Sequence, residues 1–354
     1  MSRTAAELGK QGAECGKISR FFLLKWVWVM NMKRFMKQLG LALLMGAVMP
    51  MTGVYLAAGM LGEPMMPPQI PSGTAVTTEE EANALSIDVV GEKGTVRMDM
   101  DEYLVGVVLA EMPASFQPEA LKAQAVVART YALRRASTGN KHGAGAVCTS
   151  ASCCQGYILP ADYLAEGGTE AEVEKVKSAV EAVSGQVLTY EGALIEATFF
   201  SCSGGSTEDA EAVWGSDVPY LQAVPRPGEE GAAPYTDQVS FTRQELEEKL
   251  GVTLTGDAAW WFGNFTYTDG DGVDTVTIGG VEFTGVEVRK LLDLRSTSFS
   301  VTASEDAVTI VTHGYGHRVG MSQYGAEAMA LTGSTFEQIL THYYQGTTLC
   351  TWND

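Results

Sequence analysis

Between residues 87 and 349, apolar positions recur at spacings that assign the secondary-structure elements in turn. Residues 99–111 carry Leu104, Val107, Val108 and Glu111 at i, i+3, i+4 and i+7, the spacing of one helix face. That helix must stop at Met112-Pro113, because proline disfavours helical geometry in the residue before it. Pro118 suits a first helical turn and opens a second helix reaching about Arg135, rich enough in alanine to pack closely against a neighbour. A third is predicted over 170–184, ended by Gly185. Period-two alternation bounded by turn residues predicts strands. Residues 87–90 and 95–98 read as a hairpin about 91–94, and 186–190 pairs with 193–200 across Glu191-Gly192. Thr242 with Glu245 is a capping box for a short helix ending near Gly251. Beyond Phe265 come turns at 269–272 and Gly279-Gly280, a helix over 286–294, strands at 299–303 and 308–312, and helices near 322–331 and 336–344. No regular βαβ alternation and no internal repeat occurs. The pattern predicts an α+β body of mixed helices and antiparallel strands.

The N-terminal part follows another pattern. Residues 39–62 are 24 residues without a charge, interrupted only by Pro50. At about 1.5 Å per helical residue they cover a hydrocarbon core of about 30 Å, so one transmembrane helix is expected there. Lys33-Arg34 and Lys37 precede it, which predicts a basic cytoplasmic N-terminus at 1–38 and an external body. The competing reading is a cleaved signal peptide with Ala57-Ala58-Gly59 as its small-residue site, but the apolar run exceeds a normal signal core. Residues 21–30 are too short to span and contain Lys25, while Met32 begins a basic-then-apolar run, so 1–31 reads as an over-called start. Residues 63–86 form a linker with Pro64, Pro67, Pro68 and Pro71, then Glu79-Glu80-Glu81, too poor in large apolar groups to bury a core. The body occupies 87–354.

Charge narrows the function. The 354-residue chain carries a net −19, and since residues 1–37 carry +6 the remainder carries −25. So acidic a body lacks the basic footprint that nucleic acid requires. Within it, Glu111 ends its own apolar stripe at a helix C-terminus. Apolar surroundings desolvate the carboxylate and the negative helix end repels it, and both effects keep the carboxyl protonated. That is the requirement for a general acid; the alternative is a helix-ending glutamate that bends out to water. Ser201, Ser203 and the Gly204-Gly205 backbone form a tight turn after a strand, either a ligand-facing turn or a bare hairpin. Arg129, in the middle of an alanine-rich helix, needs a partner if buried: a carboxylate of the site, the substrate, or a structural salt bridge. His317, Gln323 and Tyr324 lie on a glycine-rich loop entering a helix, without P-loop or dinucleotide spacing, and read as a groove wall. Asp269, Asp271 and Asp274 miss the EF-hand offsets and read as a solvated turn.

Six cysteines remain to be placed. Cys15 falls on the cytoplasmic side of the expected anchor, leaving an odd number outside, so at least one thiolate is free or metal-bound unless chains cross-link. His142-x5-Cys148-x5-Cys154, with Cys153 adjacent, offers the imidazole and thiolate donors that zinc favours. A Cys148–Cys153 or Cys148–Cys154 disulfide is the other reading. Cys202 and Cys350 either pair or stay small buried thiols. Neither the deaminase signature nor His-Glu-x-x-His is present.

Longer words of sequence add a resemblance. Ala110-Glu111-Met112-Pro113, Phe116, Glu119-Ala120-Leu121-Lys122-Ala123-Gln124-Ala125 and Ala128-Arg129-Thr130-Tyr131-Ala132 resemble the stage II sporulation protein D family, membrane-anchored lytic transglycosylases of endospore formers. Phe200-Ser201-Cys202-Ser203-Gly204-Gly205 with Thr207-Glu208, Val213-Trp214, the run from Gly316 to Ala326, and His342-Tyr343-Tyr344-Gln345-Gly346 match in order. Cys202 stands where the family suggests Ser or Thr, and Arg318 where it suggests Gly. The resemblance implies a curved catalytic domain with a substrate groove behind one anchor at the sporulation septum or engulfing membrane. It implies Glu111 as the catalytic residue, and Arg129, Ser201, Ser203, Gly204, His317, Gln323 and Tyr324 as substrate-binding residues. It also implies zinc on His142, Cys148 and Cys154, with water or substrate in the fourth position. The implied reaction cleaves MurNAc-β-1,4-GlcNAc bonds of denuded peptidoglycan strands with 1,6-anhydroMurNAc formation, during engulfment, beside stage II sporulation proteins P and M. The alternative is a non-catalytic wall-binding module that enhances an amidase.

Overall fold

The computed structural model describes residues 85–352 apart from 92–93, 139–141, 143–144 and 226–227, and the described residues belong to one compact unit. The expected cytoplasmic segment, the over-called start, the transmembrane helix at 39–62 and nearly all of the linker lie outside them. Among the described residues, no helix is long and apolar enough to cross a membrane.

Asp99 caps the first helix, α1 (Met100–Glu111), its carboxylate accepting the N–H groups of Asp101 and Glu102, which otherwise have no intrahelical partner. Sequence periodicity marks one apolar face on α1, but Met100 and every residue from Tyr103 to Leu109 are buried. The reason is packing on several sides, against α2 (Pro118–Thr138) and the helices Glu170–Glu181 and Pro160–Ala165. The alanines of α2 do what their size allows. Ala120, Ala123, Ala125, Ala128 and Ala132 are buried, and α2 packs against α1, the helices Glu170–Glu181, Gln323–Leu331 and Phe336–Tyr343, and the strand Gln186–Tyr190. Two long-range bonds tie its start to the C-terminal helices: the Gln117 N–H donates to Glu327, and Glu119 in turn accepts the first N–H of the helix Phe336–Tyr343.

Ser86–Gly91 and Gly94–Asp99 form the expected hairpin, and Ala146–Cys148 adds to it in parallel, with Asp88 opposite Ala146 and Val90 opposite Cys148. Gln186–Tyr190 pairs with Ala193–Leu194 across Glu191 (φ 49°) and Gly192 (φ 80°), the two left-handed residues of a tight hairpin turn. The expected strand at 193–200 is cut in two. Glu196 is drawn to Arg134 and Arg135 and its N–H to the Tyr220 hydroxyl, so Phe199–Phe200 leaves the hairpin and pairs in parallel with Met321–Ser322. Gln186–Tyr190 takes Thr348–Thr351 as its other neighbour.

Residues 236–313 build a second core. Its antiparallel sheet orders Phe299–Ala303, Ala307–His313 and Thr236–Thr242. Helices Arg243–Leu250 and Gly285–Leu292, each started by a capping box, belong to the same lobe, and Leu246, Trp261, Val276, Ile278, Val288, Val308 and Ile310 fill it. The chain then returns to the main core through the glycine-rich loop at 314–320. The fold of the described residues is α+β as expected, and it includes parallel strand pairings that the alternation of apolar residues does not reveal.

Candidate active site

Met112 leaves α1 in extended geometry, φ −131° and ψ 138°, as Pro113 demands. The half-buried Glu111 is thereby left at the helix end, where its Oε1 accepts the N–H of Gly156 at 2.5 Å. Burial holds this carboxyl above its ordinary value of 4.5, and the Gly156 N–H recovers only part of the shift. The other carboxylate of the matched motif is occupied. Burial pushes Glu119 up, but the Lys122 ammonium and the Phe336 N–H outweigh it and hold the group below the usual range. Gly156 carries no sequence signal except its place two residues beyond Cys154. The Gln155 side chain donates to the Ala128 carbonyl and ties this segment to α2.

The distant motifs converge through backbone bonds. The Ser201 carbonyl accepts the Tyr324 N–H at 3.0 Å, and the Tyr324 ring meets Phe116, just past Glu111, edge-on at 5.0 Å. Gln323 is buried and donates to Gln124 on α2. Ser203 is also buried. Its N–H and Oγ, with the Cys202 thiol, all donate to Glu229, so the thiol does the work of the hydroxyl that the resemblance suggests at this position. Glu229 is a site neighbour that sequence reasoning missed, since it belongs to no matched word. Gly204 (φ 68°) must be glycine, because a Cβ there would lie 2.1 Å from the Gly314 nitrogen.

Arg129 is fully buried and bonds Asp101 at 2.6 Å and the carbonyls of Val183 and Gln186. This is the geometry of the structural salt bridge. His317 lies between Phe200 and Trp214, with ring centroids at 5.6 and 5.3 Å, and its Nδ1 accepts the Val319 N–H. Burial, helped by the Arg289 charge, pushes it down to about 3, so the imidazole is neutral. Arg318 adopts φ 66°, a left-handed conformation that explains why glycine suits the position. Its guanidinium bonds Glu208 and the carbonyls of Ser203, Ser206 and Gly270.

A second cluster includes Cys154, two residues before the Gly156 that Glu111 bonds. The donor atoms of His142, Cys148, Cys153 and Cys154 all fall within 4.8 Å of one another. His142 Nε2 is 3.1 Å from Cys153 Sγ, and the Cys153 and Cys154 sulfurs are 3.9 Å apart. Cys148, Cys153 and Cys154 are thiols, so neither Cys148 disulfide forms, and Cys202 does not pair with Cys350. One imidazole and three thiols suit a thiolate-preferring divalent ion such as zinc. Burial pushes the Cys154 thiol up to about 12; metal binding would therefore have to displace its proton. The Tyr103 hydroxyl is fully buried without a hydrogen-bond partner. Burial, and after it the Cys154 thiol, raise its pKa. The residues fit the metal.

The family described as Stage II sporulation protein matches residues 91–190, the stretch that carries Glu111, Gly156 and all four donors. The chain is 40% identical to Stage II sporulation protein D of Bacillus subtilis (strain 168) over 274 residues, 75% of this chain and 79% of that protein. It is 38% identical to Stage II sporulation protein D of Bacillus amyloliquefaciens over 279 residues, 77% of this chain and 80% of that one. It is also 30% identical to the Amidase enhancer of Bacillus subtilis over 307 residues, covering 40% of that longer protein. The chain belongs to the stage II sporulation protein D family.

Proposed function

We propose that this chain is a lytic transglycosylase of peptidoglycan, with Glu111 as both acid and base. The observation that carries the reading is the desolvated Glu111 carboxyl at the end of α1, with its raised proton affinity and its alignment by one backbone N–H. Ordinary glycosidases use two carboxyls about 5–9.5 Å apart. One suffices when the nucleophile belongs to the substrate. Protonated Glu111 gives its proton to the β-1,4 glycosidic oxygen between MurNAc and GlcNAc as that bond breaks. The resulting carboxylate takes the proton of the muramic C6 hydroxyl as its oxygen attacks C1 and closes a 1,6-anhydro ring. The enzyme ends in its starting protonation state and no water is consumed. Intramolecular attack brings the usual proximity advantage. Ser201 and Tyr324, half-buried and joined by a backbone bond, would contact the strand; Ser203, Gly204 and Gln323 set the shape of that wall and Arg129 braces α1. Zinc, when bound to the His142–Cys148–Cys153–Cys154 cluster, would hold the segment before Gly156. The proposed setting is septal wall remodelling during sporulation, with the body held outside by residues 39–62 and working beside stage II sporulation proteins P and M on denuded strands.

Mass spectrometry of products from denuded glycan strands tests the mechanism. Anhydromuramoyl ends, lighter by one water than hydrolytic products, are expected; reducing muramic acid as the main product would require a second carboxylate and a water. The amidase-enhancer relative motivates the non-catalytic alternative, in which no new chain ends appear at all.

Gly156→Ala offers a second check on the same site. Gly156 is not in left-handed geometry, and an added Cβ meets the Glu111 Oε1 at 2.9 Å. Alanine is therefore tolerated by the backbone and pushes the carboxyl aside. Turnover should fall by about 10²-fold, the cost of misplacing a reacting group by about 1 Å. The melting temperature should stay within a few degrees of wild type. Wild-type turnover would show that the Glu111–Gly156 contact does not position the acid.

A further inference from the structure

We propose that Glu229 is a positioning residue for the glycan-contacting wall, its buried carboxylate locking the turn that carries Ser201 to the helix that carries Tyr324. The inference rests on the strand-contacting reading of Ser201 and Tyr324 given above and adds what holds the two in place. Glu229 is only 2% exposed, and it lies in no matched word of sequence. Its Oε2 accepts the Ser203 N–H at 2.7 Å and the Cys202 thiol at 2.9 Å, and its Oε1 accepts the Ser203 hydroxyl at 3.0 Å. Several donors on one carboxylate are what a buried acid of this kind requires. At the other end of the same residue, the Arg318 guanidinium donates to the Ser203 carbonyl at 2.8 Å. A buried acid and a buried base therefore pin the backbone of Ser203 from its N–H and from its C=O.

The helix side of the lock is at Gly325. The helix Gln323–Leu331 starts at Ser322, whose hydroxyl accepts the Gly325 N–H. A Cβ on Gly325 would collide with both the Tyr343 hydroxyl and Glu229 Oε1. The carboxylate thus sits directly against the first turn of this helix, the end that favours an acidic group. Gly325 is not in left-handed geometry; close approach, not backbone angle, requires glycine there. The Tyr343 hydroxyl is buried and has no hydrogen-bond partner among the described residues, so an unspent donor faces the same space. Tyr324, the residue before Gly325, gives its N–H to the Ser201 carbonyl at 3.0 Å. A ring of contacts therefore runs from Ser201 through Ser203, Glu229 and Gly325 to Tyr324 and back. The segment that brings Glu229 into this ring is itself anchored. The Thr207 hydroxyl accepts the Val224 N–H at 2.8 Å, His342 Nε2 donates to the Pro225 carbonyl at 3.2 Å, and the Tyr235 carbonyl accepts the Gly314 N–H at 2.8 Å.

Strand binding reads the wall without the reaction. In the full chain carrying Glu111→Gln, adding Glu229→Gln should weaken affinity for denuded glycan strands by about tenfold, the worth of one hydrogen bond to the strand. Hydrogen exchange should quicken at the Ser203 and Tyr324 amides and stay unchanged along α1. Unchanged affinity would overturn the proposal. So would a general loss of protection that includes α1, the mark of an ordinary stabilising residue. Cys202 supplies a second test should Glu229→Gln fail to fold. Cys202→Ala removes one donor to the carboxylate and Cys202→Ser restores one, so affinity should fall in the first and recover in the second. Equal losses in both, or none in either, would count against the lock. Where strands are cleaved, Glu229→Gln alone should raise KM with kcat unchanged, the sign of lost uniform binding; a lowered kcat at unchanged KM would exclude a positioning role confined to the wall. Binding and exchange are read whether or not the wild-type chain cuts glycan, so an absence of cleavage would end the proposed reaction and leave the lock to these two measurements. A chain that binds no denuded strand would overturn both.

Discussion

Glu111→Gln should reduce cleavage of denuded glycan strands by about 10²–10⁴-fold, the usual contribution of a positioned general acid–base, with little change in melting temperature. Glutamine keeps the shape of the side chain and an oxygen to accept the Gly156 N–H, but it has no acidic proton to give. The loss is therefore chemical, not structural. The pH profile carries the same information. The proton-donating form is populated below the folded pKa and is lost as pH rises through it. Burial places that pKa above 4.5, so activity should decline on the alkaline side at a higher pH than an exposed glutamate would set. Full activity of the Glu111→Gln chain on purified strands would remove Glu111 as the acid, whereas absence of cleavage by the wild-type chain would end the enzyme reading and leave the amidase-enhancing module. Retained binding of strands with no cleavage is the expected pattern.

How much of this was legible in the sequence depends on whether the determinant is local. Glu111 could be found because its helix face, the Pro113 stop and the carboxyl itself lie within one short stretch, and the capping boxes at Thr242 and Thr284 are likewise local. The latter was nevertheless missed, and the helix it starts was expected one residue late. His142, Cys148 and Cys154 announce themselves by spacing, but spacing does not say where a side chain points. Cys153, beside Cys154, joins the cluster only because the turn after Ala146–Cys148 brings both sulfurs inward. Gly156 was invisible for a different reason: it acts through its backbone N–H, and no pattern of side chains records that. Arg129 illustrates tertiary arbitration. Its mid-helix position requires a partner, and the choice between substrate and salt bridge is made by Asp101 and by the carbonyls of Val183 and Gln186, close to α2 only in the fold. The same holds for 193–200, where the sequence shows Glu196 but not that it turns toward Arg134 and Arg135 and ends the pairing.

The largest effect on stability is expected at Arg318. Restoring the glycine that the family suggests should destabilise this particular chain. Arg318 and Glu208 are both essentially without solvent exposure and 2.9 Å apart, and the same guanidinium satisfies the carbonyls of Ser203, Ser206 and Gly270. Gly270 belongs to the second lobe and Ser203 to the turn beside Ser201, so one side chain joins them. Breaking a buried pair by removing one partner costs about 3–5 kcal/mol, because a charge is left buried without compensation. Relief of the left-handed backbone returns about 1–2 kcal/mol, so Arg318→Gly should lose roughly 1–4 kcal/mol net. Burial already pushes the Glu208 carboxyl up, and the Arg318 charge is what opposes it. Without Arg318 the carboxyl rises further, and a group whose folded pKa is raised loses stability as pH rises from its unfolded value through its folded one. The gap between variant and wild type should accordingly widen from acid toward neutral pH in denaturant titrations of the full chain. Adding Glu208→Gln to Arg318→Gly should recover part of the loss and flatten that pH dependence, since the uncompensated charge is gone. If the double variant is no more stable than the single one at neutral pH, the cost comes from the unpaired carbonyls and not from the stranded carboxylate.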